Sequence, residues 1–238
     1  MTRVLDPQRL STGRVLAAST ALLTLAVVLG GALLADVSQP PFREVDDGWA
    51  HFMGTLRSPF WDGVNGFLNI AGYRGVLLGH GLLALALLVR KRPQAAIFAA
   101  AAGIAVLILT QVSKAAILRG RPANTIVLTD TGSFPSGHVT STTAFVLVLA
   151  LLVGRVWVWV LAAAGIAAMM LSRTYLSAHW LMDTVGGVCL AAPVVLIVWL
   201  FYQNICIQEN ADARRILTWR ARASRRRRAA AHPESEPR

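Results

Sequence analysis

Three short stretches of this sequence carry polar side chains of the types that bind and transfer a phosphoryl group. In chain order they are Lys114 with Arg121-Pro122, then Pro135-Ser136-Gly137-His138, and then Ser172-Arg173 with His179 and Asp183. Each stretch lies at the end of a long apolar run. Ionisable residues in such places are costly and often functional, so each stretch is a candidate part of a site.

The first stretch places two cations seven residues apart. Positions seven apart on a helix lie about 20° from alignment, so Lys114 and Arg121 share a face if the helix runs that far. Arg119 then points elsewhere, and Pro122 ends the helix. Taken alone, the pattern favours two cations that reach the membrane interface along their apolar stems.

The second stretch has the composition of a helix start that can hold an anion. Ser136 can cap a helix, and Gly137 lets the backbone approach an anion closely. The free N–H groups of a first helical turn form an anion site without further machinery. His138 then lies beside whatever binds there, although an ordinary cap with an interfacial histidine has the same four residues.

The third stretch pairs a histidine with a carboxylate at helical spacing. His179 and Asp183 are four residues apart, so on a helix they face the same way. Such a carboxylate sets the tautomer of the ring and stabilises its cation. The other ring nitrogen is then available as a nucleophile or base. The alternative is a buried pair in which the two side chains only hydrogen-bond to each other, but this alternative gives Arg173 no role.

Together the three stretches supply three cations, a helix N-terminus and two histidines. These groups suit in-line phosphoryl transfer, in which the protein positions the phosphate and stabilises its charge. No carboxylate cluster suited to Mg²⁺ or Zn²⁺ occurs among these stretches, so we expect neither a metal nor another cofactor.

Uncharged runs predict the elements that position these residues. Since a membrane span needs about 20 apolar residues, an all-α integral membrane bundle of six transmembrane helices is predicted over residues 1–208. A tight turn at Gly154-Arg155 divides the fourth helix from the fifth. The six runs are Val15–Ala35, Gly75–Val89, Gln94–Ser113, Val139–Gly154, Val156–Ser172 and Thr184–Gln208.

Composition and charge support a membrane protein. The chain is 55% hydrophobic and 15% charged, which excludes general disorder, and two cysteines exclude a disulfide scaffold.

Six spans put 16 of the 23 Lys and Arg residues on the side of the termini. The positive-inside rule then predicts cytoplasmic termini and motifs on the outer face of a bacterial membrane. Residues 209–238 are predicted to be a basic tail, disordered or at most a short helix, that attracts anionic lipid rather than nucleic acid.

The loop after the first span has structure of its own. Apolar residues recur at three- and four-residue steps, and Ser58-Pro59 fits an N-cap with proline at the first helical position. Two short amphipathic helices are therefore predicted here. They either lie in the outer membrane interface or form a lid on the bundle.

In their order and spacing, Lys-x6-Arg-Pro, Pro-Ser-Gly-His and Ser-Arg-x5-His-x3-Asp resemble the signature motifs of the type 2 phosphatidic acid phosphatase superfamily. Each motif is complete, and together they span Lys114–Asp183. The resemblance implies an integral membrane lipid phosphatase. It also implies a lipid phosphate as substrate: a polyprenyl diphosphate first, then phosphatidylglycerol phosphate or phosphatidic acid.

The resemblance also implies a role for each motif residue. His179 would form a phosphohistidine, Asp183 would orient it, and His138 would protonate the leaving group. The remaining residues would hold the phosphoryl oxygens: Lys114, Arg121, Ser136, Gly137 and Arg173.

Two other functions share these residues. Vanadate-dependent haloperoxidases have the same motif pattern because vanadate mimics phosphate, but they are soluble. A non-catalytic lipid-binding membrane protein is the second alternative, and the complete set of reactive groups argues against it.

Overall fold

The computed structural model describes residues 5–129 and 132–231, and all the regular secondary structure within them is helical. Eight α-helices follow one another, with a π-helical turn between the third and the fourth. They are α1 (Thr12–Ala35), α2 (Arg43–Thr55), α3 (Pro59–Ile70), the π-turn (Ala71–Gly75), α4 (Val76–Val89), α5 (Pro93–Ile117), α6 (Gly137–Val153), α7 (Val156–Tyr175) and α8 (Leu181–Ala231).

In the described part of the chain, four helices are long and apolar enough to cross a membrane. They are α1, α5, α7 and the first part of α8, Leu181–Ala213. Two further apolar helices, α4 and α6, have 14 and 17 residues. The protein is therefore a multi-pass membrane protein built as a helical bundle.

The bundle core lies where α8 packs against α1, α5 and α6. Phe98 of α5 and Trp199 of α8 are both fully buried, and their ring centroids are 4.8 Å apart. Many small residues on α5 and α8 bring these helices close, as is usual in membrane bundles. This packing sets the relative positions of the helix ends that carry the three motifs.

The turn between α6 and α7 has the predicted position. Gly154 follows α6 with a φ of 65°, and Arg155 precedes the first residue of α7. Glycine adopts this left-handed conformation without steric cost, which is why it ends so many helices. The tight turn at Gly154-Arg155 is confirmed.

Both this turn and the N-terminal segment lie at the end of the bundle away from the motifs. The Asp6 amide donates to the carbonyl of Leu152 at 3.1 Å. At the same end, the Arg92 guanidinium donates to the side chain of Asn210. The motif residues, in contrast, lie at or beyond the opposite ends of α5, α6, α7 and α8.

The segment between α1 and α4 differs from its prediction in one respect. Ser58 does cap α3, where its hydroxyl accepts from the Trp61 amide at 3.4 Å and Pro59 is the first helical residue. However, α3 is not a separate helix, because the π-turn joins it directly to α4. No proline interrupts residues 60–89, so the helix continues through the π-turn.

The first part of the predicted basic tail is helical. Residue 208 is not an element boundary, because α8 runs on as one helix to Ala231. Alanine and arginine, which dominate this region, are strong helix formers. Extending an existing helix needs no new nucleus, so the basic region continues it. Residues 232–238 lie outside the described residues.

Candidate active site

A polar cavity of about 210 Å³ lies where the three motifs meet. Six predicted site residues line it: Lys114, Arg121, Gly137, His138, Arg173 and His179. The structure therefore brings the predicted cations and both histidines together. Four further lining residues were not predicted: Gln111, Leu128, Thr129 and Ala178. Gln111 could have been found from the sequence, since it lies one helical turn before Lys114.

The two cations of the first motif line the same cavity, but they do not lie on one face of a single helix as predicted. The helix does not reach Arg121, because α5 ends at Ile117 and Leu118 takes a left-handed conformation. The chain then turns back, so the amide of Ser133 donates to the carbonyl of Arg119 at 2.8 Å. Arg121 thus lines the cavity from a loop, whereas Lys114 does so from α5.

Backbone carbonyls hold both cations in place. The Lys114 ammonium donates to the carbonyl of Gly132 at 2.7 Å. The Arg121 guanidinium donates to the same carbonyl and to that of Ala178. Lys114 is 5% exposed, so desolvation strengthens its attraction for an anion in the cavity.

His179 lies in the short loop between α7 and α8, not on a helix as predicted. Its Nδ1 is 2.8 Å from the carbonyl oxygen of Ser133 and 3.6 Å from Oδ2 of Asp183. Only the first distance is a hydrogen bond. Since a carbonyl only accepts, Nδ1 carries the proton and Nε2 keeps its lone pair, 3.3 Å from Nη1 of Arg121.

Burial controls the protonation of His179. The side chain is 4% exposed, and desolvation lowers its pKa to about 4, while Asp183 acts in the opposite direction. The ring is therefore neutral near pH 7. A neutral imidazole with an accessible lone pair, beside three cations that attract phosphate, can act as a nucleophile.

Asp183 is held by a cation that the sequence did not assign to the site. Arg119 donates to Asp183 at 2.6 Å and to Asp46 of α2 at 2.6 Å. Arg119 is 3% exposed and both carboxylates are fully buried. The second oxygen of Asp46 accepts from the Met182 amide at 2.9 Å, in the first turn of α8. Arg119 lies beyond the end of α5, so its position is not set by a helical face, and its guanidinium points into this ion cluster.

Asn69, at the end of α3, links two predicted residues. Its side-chain oxygen accepts from the Arg173 guanidinium at 2.5 Å. Its backbone carbonyl lies 3.1 Å from Nε2 of His138. Asn69 therefore orients both a cation and a histidine, although it lies far from all three motifs in the sequence. No motif or spacing pointed to it.

The second motif occupies the start of α6 as predicted, but its serine is fully buried. Ser136 is the residue before α6, its hydroxyl makes no capping bond, and it does not line the cavity. Gly137 does line the cavity, with the Lys114 side chain beside it. A role for Ser136 in phosphate binding stays a prediction.

Within residues 5–129 and 132–231, no group of three or more His, Cys, Asp or Glu side chains is placed to hold a metal ion.

Comparisons with known proteins find a matching family model and a solved structure of similar fold. Residues 94–206 match the family model described as the PAP2 superfamily. A crystal structure described as the first transmembrane PAP2-type phosphatidylglycerolphosphate phosphatase, from Bacillus subtilis, has a similar fold, with a TM-score of 0.70 and 20% sequence identity. The similarity covers 79% of this chain and 96% of that one. No curated protein matches the chain.

The fold is a membrane-embedded helical bundle, and a cavity lined by cations and histidines lies at one end of it. Residues 94–206 match the PAP2 superfamily, and this match together with the similar fold supports a hydrolase of the phosphatase class.

Proposed function

We propose that the protein is a lipid phosphatase that acts through a phosphohistidine on His179. The observation that carries this proposal is the position of Nε2 of His179, which lies 3.3 Å from Arg121 in a cavity also lined by Lys114, Arg173 and His138. A nucleophile that shares a small cavity with three cations suits a trianionic or dianionic phosphoryl group.

In the first step Nε2 attacks phosphorus as the bond to the leaving oxygen breaks. Lys114, Arg121 and Arg173 balance the charge on the three phosphoryl oxygens. Asp183 stabilises the charge that His179 gains. His138 takes part as the doubly protonated imidazolium: its Nε2–H donates to the carbonyl of Asn69, and its Nδ1–H is the proton that passes to the leaving oxygen.

In the second step water attacks phosphorus and the nitrogen–phosphorus bond breaks. His138 takes the proton of that water, so both histidines return to their starting forms. The products are the dephosphorylated lipid and inorganic phosphate, and the balance requires no oxidant, reductant or metal.

The proposed arrangement in the membrane has six spans, with both termini cytoplasmic and the site on the outer face of a bacterial membrane. The six apolar helices α1 and α4–α8, and the grouping of the N-terminal segment with Arg92 and Asn210 at one end, support it. A site at the end of the bundle meets a lipid headgroup at its natural depth. Among substrates we favour a polyprenyl diphosphate, followed by phosphatidylglycerol phosphate, the lipid named for the Bacillus subtilis relative, and phosphatidic acid.

The test is phosphate release from these three lipids in mixed micelles by wild type, His179→Gln and His51→Gln. His51 is an exposed histidine of α2, so its variant is a matched control. We expect His179→Gln to abolish release and His51→Gln to retain it. Wild type, but not His179→Gln, should form an acid-labile ³²P adduct. Full activity of His179→Gln, or halide oxidation with vanadate and no phosphate release, would overturn the proposal.

A further inference from the structure

A second polar cavity, of about 320 Å³, adjoins the first one. Its lining residues are Asn69, Ile70, Arg74, Val127, Leu128 and His138. Leu128 and His138 line both cavities, so these two side chains form the boundary between them. His138 thus has the proposed nucleophile on one side and the second cavity on the other.

The π-turn places Arg74 at the second cavity. Its Gly72 packs so closely that an added Cβ would lie 3.3 Å from the His138 ring and overlap Met169. The backbone here therefore lies against His138, and Asn69, just before the turn, accepts its hydrogen bond. Single π-turns of this kind occur frequently at functional sites.

The geometry of in-line phosphoryl transfer predicts which part of the substrate would lie in the second cavity. The nucleophile and the leaving oxygen lie on opposite sides of phosphorus. His138 is the proposed proton donor to the leaving oxygen, so the leaving group must contact His138. The remainder of the leaving group then extends toward the second cavity, where Arg74 supplies a guanidinium among the lining residues.

A separate apolar groove lies along α4, the helix that follows Arg74 in the chain. Val76 and Leu77 follow the π-turn and line a groove of about 310 Å³ between α4, α5 and α6. Its lining has few polar atoms and includes Ile104 and Leu107 of α5. A leaving group at Arg74 can therefore place a hydrocarbon chain along α4.

We propose that Arg74 binds an anionic phosphate within the leaving group. This inference rests on the proposed function and narrows its substrate class. A lipid diphosphate releases a lipid monophosphate, and phosphatidylglycerol phosphate releases a lipid phosphodiester, so both leaving groups carry an anion for Arg74. Phosphatidic acid releases a neutral alcohol, which offers Arg74 no charge to bind.

The experiment compares Arg74→Gln with wild type on the three lipids in mixed micelles. We expect kcat/KM to fall about tenfold for the lipid diphosphate or for phosphatidylglycerol phosphate, and less than about threefold for phosphatidic acid, since a charge-assisted hydrogen bond is lost only with the first two. Arg74→Lys should restore part of the loss. The lipid whose kcat/KM falls more in Arg74→Gln shows whether the site favours the second phosphate of a lipid diphosphate or the phosphodiester of phosphatidylglycerol phosphate.

Arg43→Gln is the matched control, because Arg43 is another exposed arginine of the same charge, located on α2 away from both cavities. It should leave the ratio of kcat/KM between substrates unchanged. An equal loss on all three lipids in Arg74→Gln, or no loss on any, overturns the leaving-group subsite while phosphate release by wild type still supports the phosphatase. Absence of release by wild type from every lipid overturns both.

Discussion

Arg119 donates a 2.6 Å hydrogen bond to Asp183, and both side chains are almost wholly buried. The bond joins the loop after α5 to the first turn of α8. Asp46 of α2 accepts a hydrogen bond from the other terminal nitrogen of the same guanidinium. The carboxylate of Asp183, which lies 3.6 Å from His179, is therefore fixed by contacts that link α2, the loop after α5 and α8. An arginine suits this position better than a lysine would, because its planar guanidinium can donate to two carboxylates at once.

The first prediction concerns the anchor on α2. Asp46→Asn keeps an oxygen for the Met182 amide but removes the charge that pairs with Arg119. We expect kcat to fall about tenfold, since a hydrogen bond to a charged group contributes about 1.5–3 kcal/mol. KM should change less than about threefold, because Asp46 does not line the cavity. Steady-state kinetics in mixed micelles measures both constants.

The neighbouring residue supplies the control for this prediction. Asp47 pairs with Arg43 at the surface, and its side chain is 49% exposed. Exposed pairs of this kind contribute little, so Asp47→Asn should resemble wild type. If both variants lose kcat equally, or if Asp46→Asn changes KM alone, Asp46 does not position the site.

The second prediction concerns the anchor of Arg173. Asn69→Ala removes the side-chain oxygen that accepts from Arg173 but leaves the backbone carbonyl that faces His138. Arg173 is then buried without this partner and less well oriented toward the cavity. We expect the inhibition constant for vanadate, used as a phosphate analogue, to rise about tenfold. Asn65→Ala is the control, because Asn65 lies one turn earlier and bonds only to the Trp61 carbonyl. Equal inhibition constants in the two variants would refute a role for Asn69.

The third prediction concerns the pH dependence of stability. The pKa of His179 in the folded protein is about 4, below its ordinary value of 6.5, because the ring is buried. The unfolded chain therefore binds a proton as the pH falls through 6.5, whereas the folded protein does not until about pH 4. His179 thus contributes a loss of stability on acidification within this window.

Thermal unfolding in detergent between pH 7.5 and pH 5 measures this contribution. The Tm of wild type should fall more on acidification than that of His179→Gln, which lacks the titrating ring. Other groups titrate in both proteins, so only the difference between the two slopes reports on His179. Parallel slopes would show that the folded protein does not hold His179 neutral.

The fourth prediction concerns the apolar groove along α4. Gly103 of α5 lines it, and an added Cβ would lie 3.2 Å from the His80 ring. Gly103→Leu should fill the groove and lower kcat/KM for a long-chain lipid phosphate, but not for a short-chain soluble analogue. Gly165→Leu in α7, where a Cβ meets only Val146 at 3.9 Å, is the control. Equal losses on both substrates would indicate a distorted bundle instead of a blocked groove.

Much of the fold follows from local patterns. Long uncharged runs and a glycine at position 154 predict apolar helices and the turn between α6 and α7, because helix length and left-handed turns depend on nearby residues. The same reasoning failed where it assumed ideal helices. Leu118 ends α5 before Arg121, and the π-turn at Ala71–Gly75 joins two helices that were predicted to be separate.

The sequence by itself determined which side chains are available for chemistry: the motif cations, His138, His179 and Asp183 are recognisable from residue type and spacing. How these side chains are held depends on contacts between segments that are far apart in the chain. The Arg119–Asp46 pair spans 73 residues and the Asn69–Arg173 pair spans 104. No helical period relates residues so far apart in the chain. Their contacts exist because helices from distant segments pack side by side, which buries these groups and requires each to find a partner.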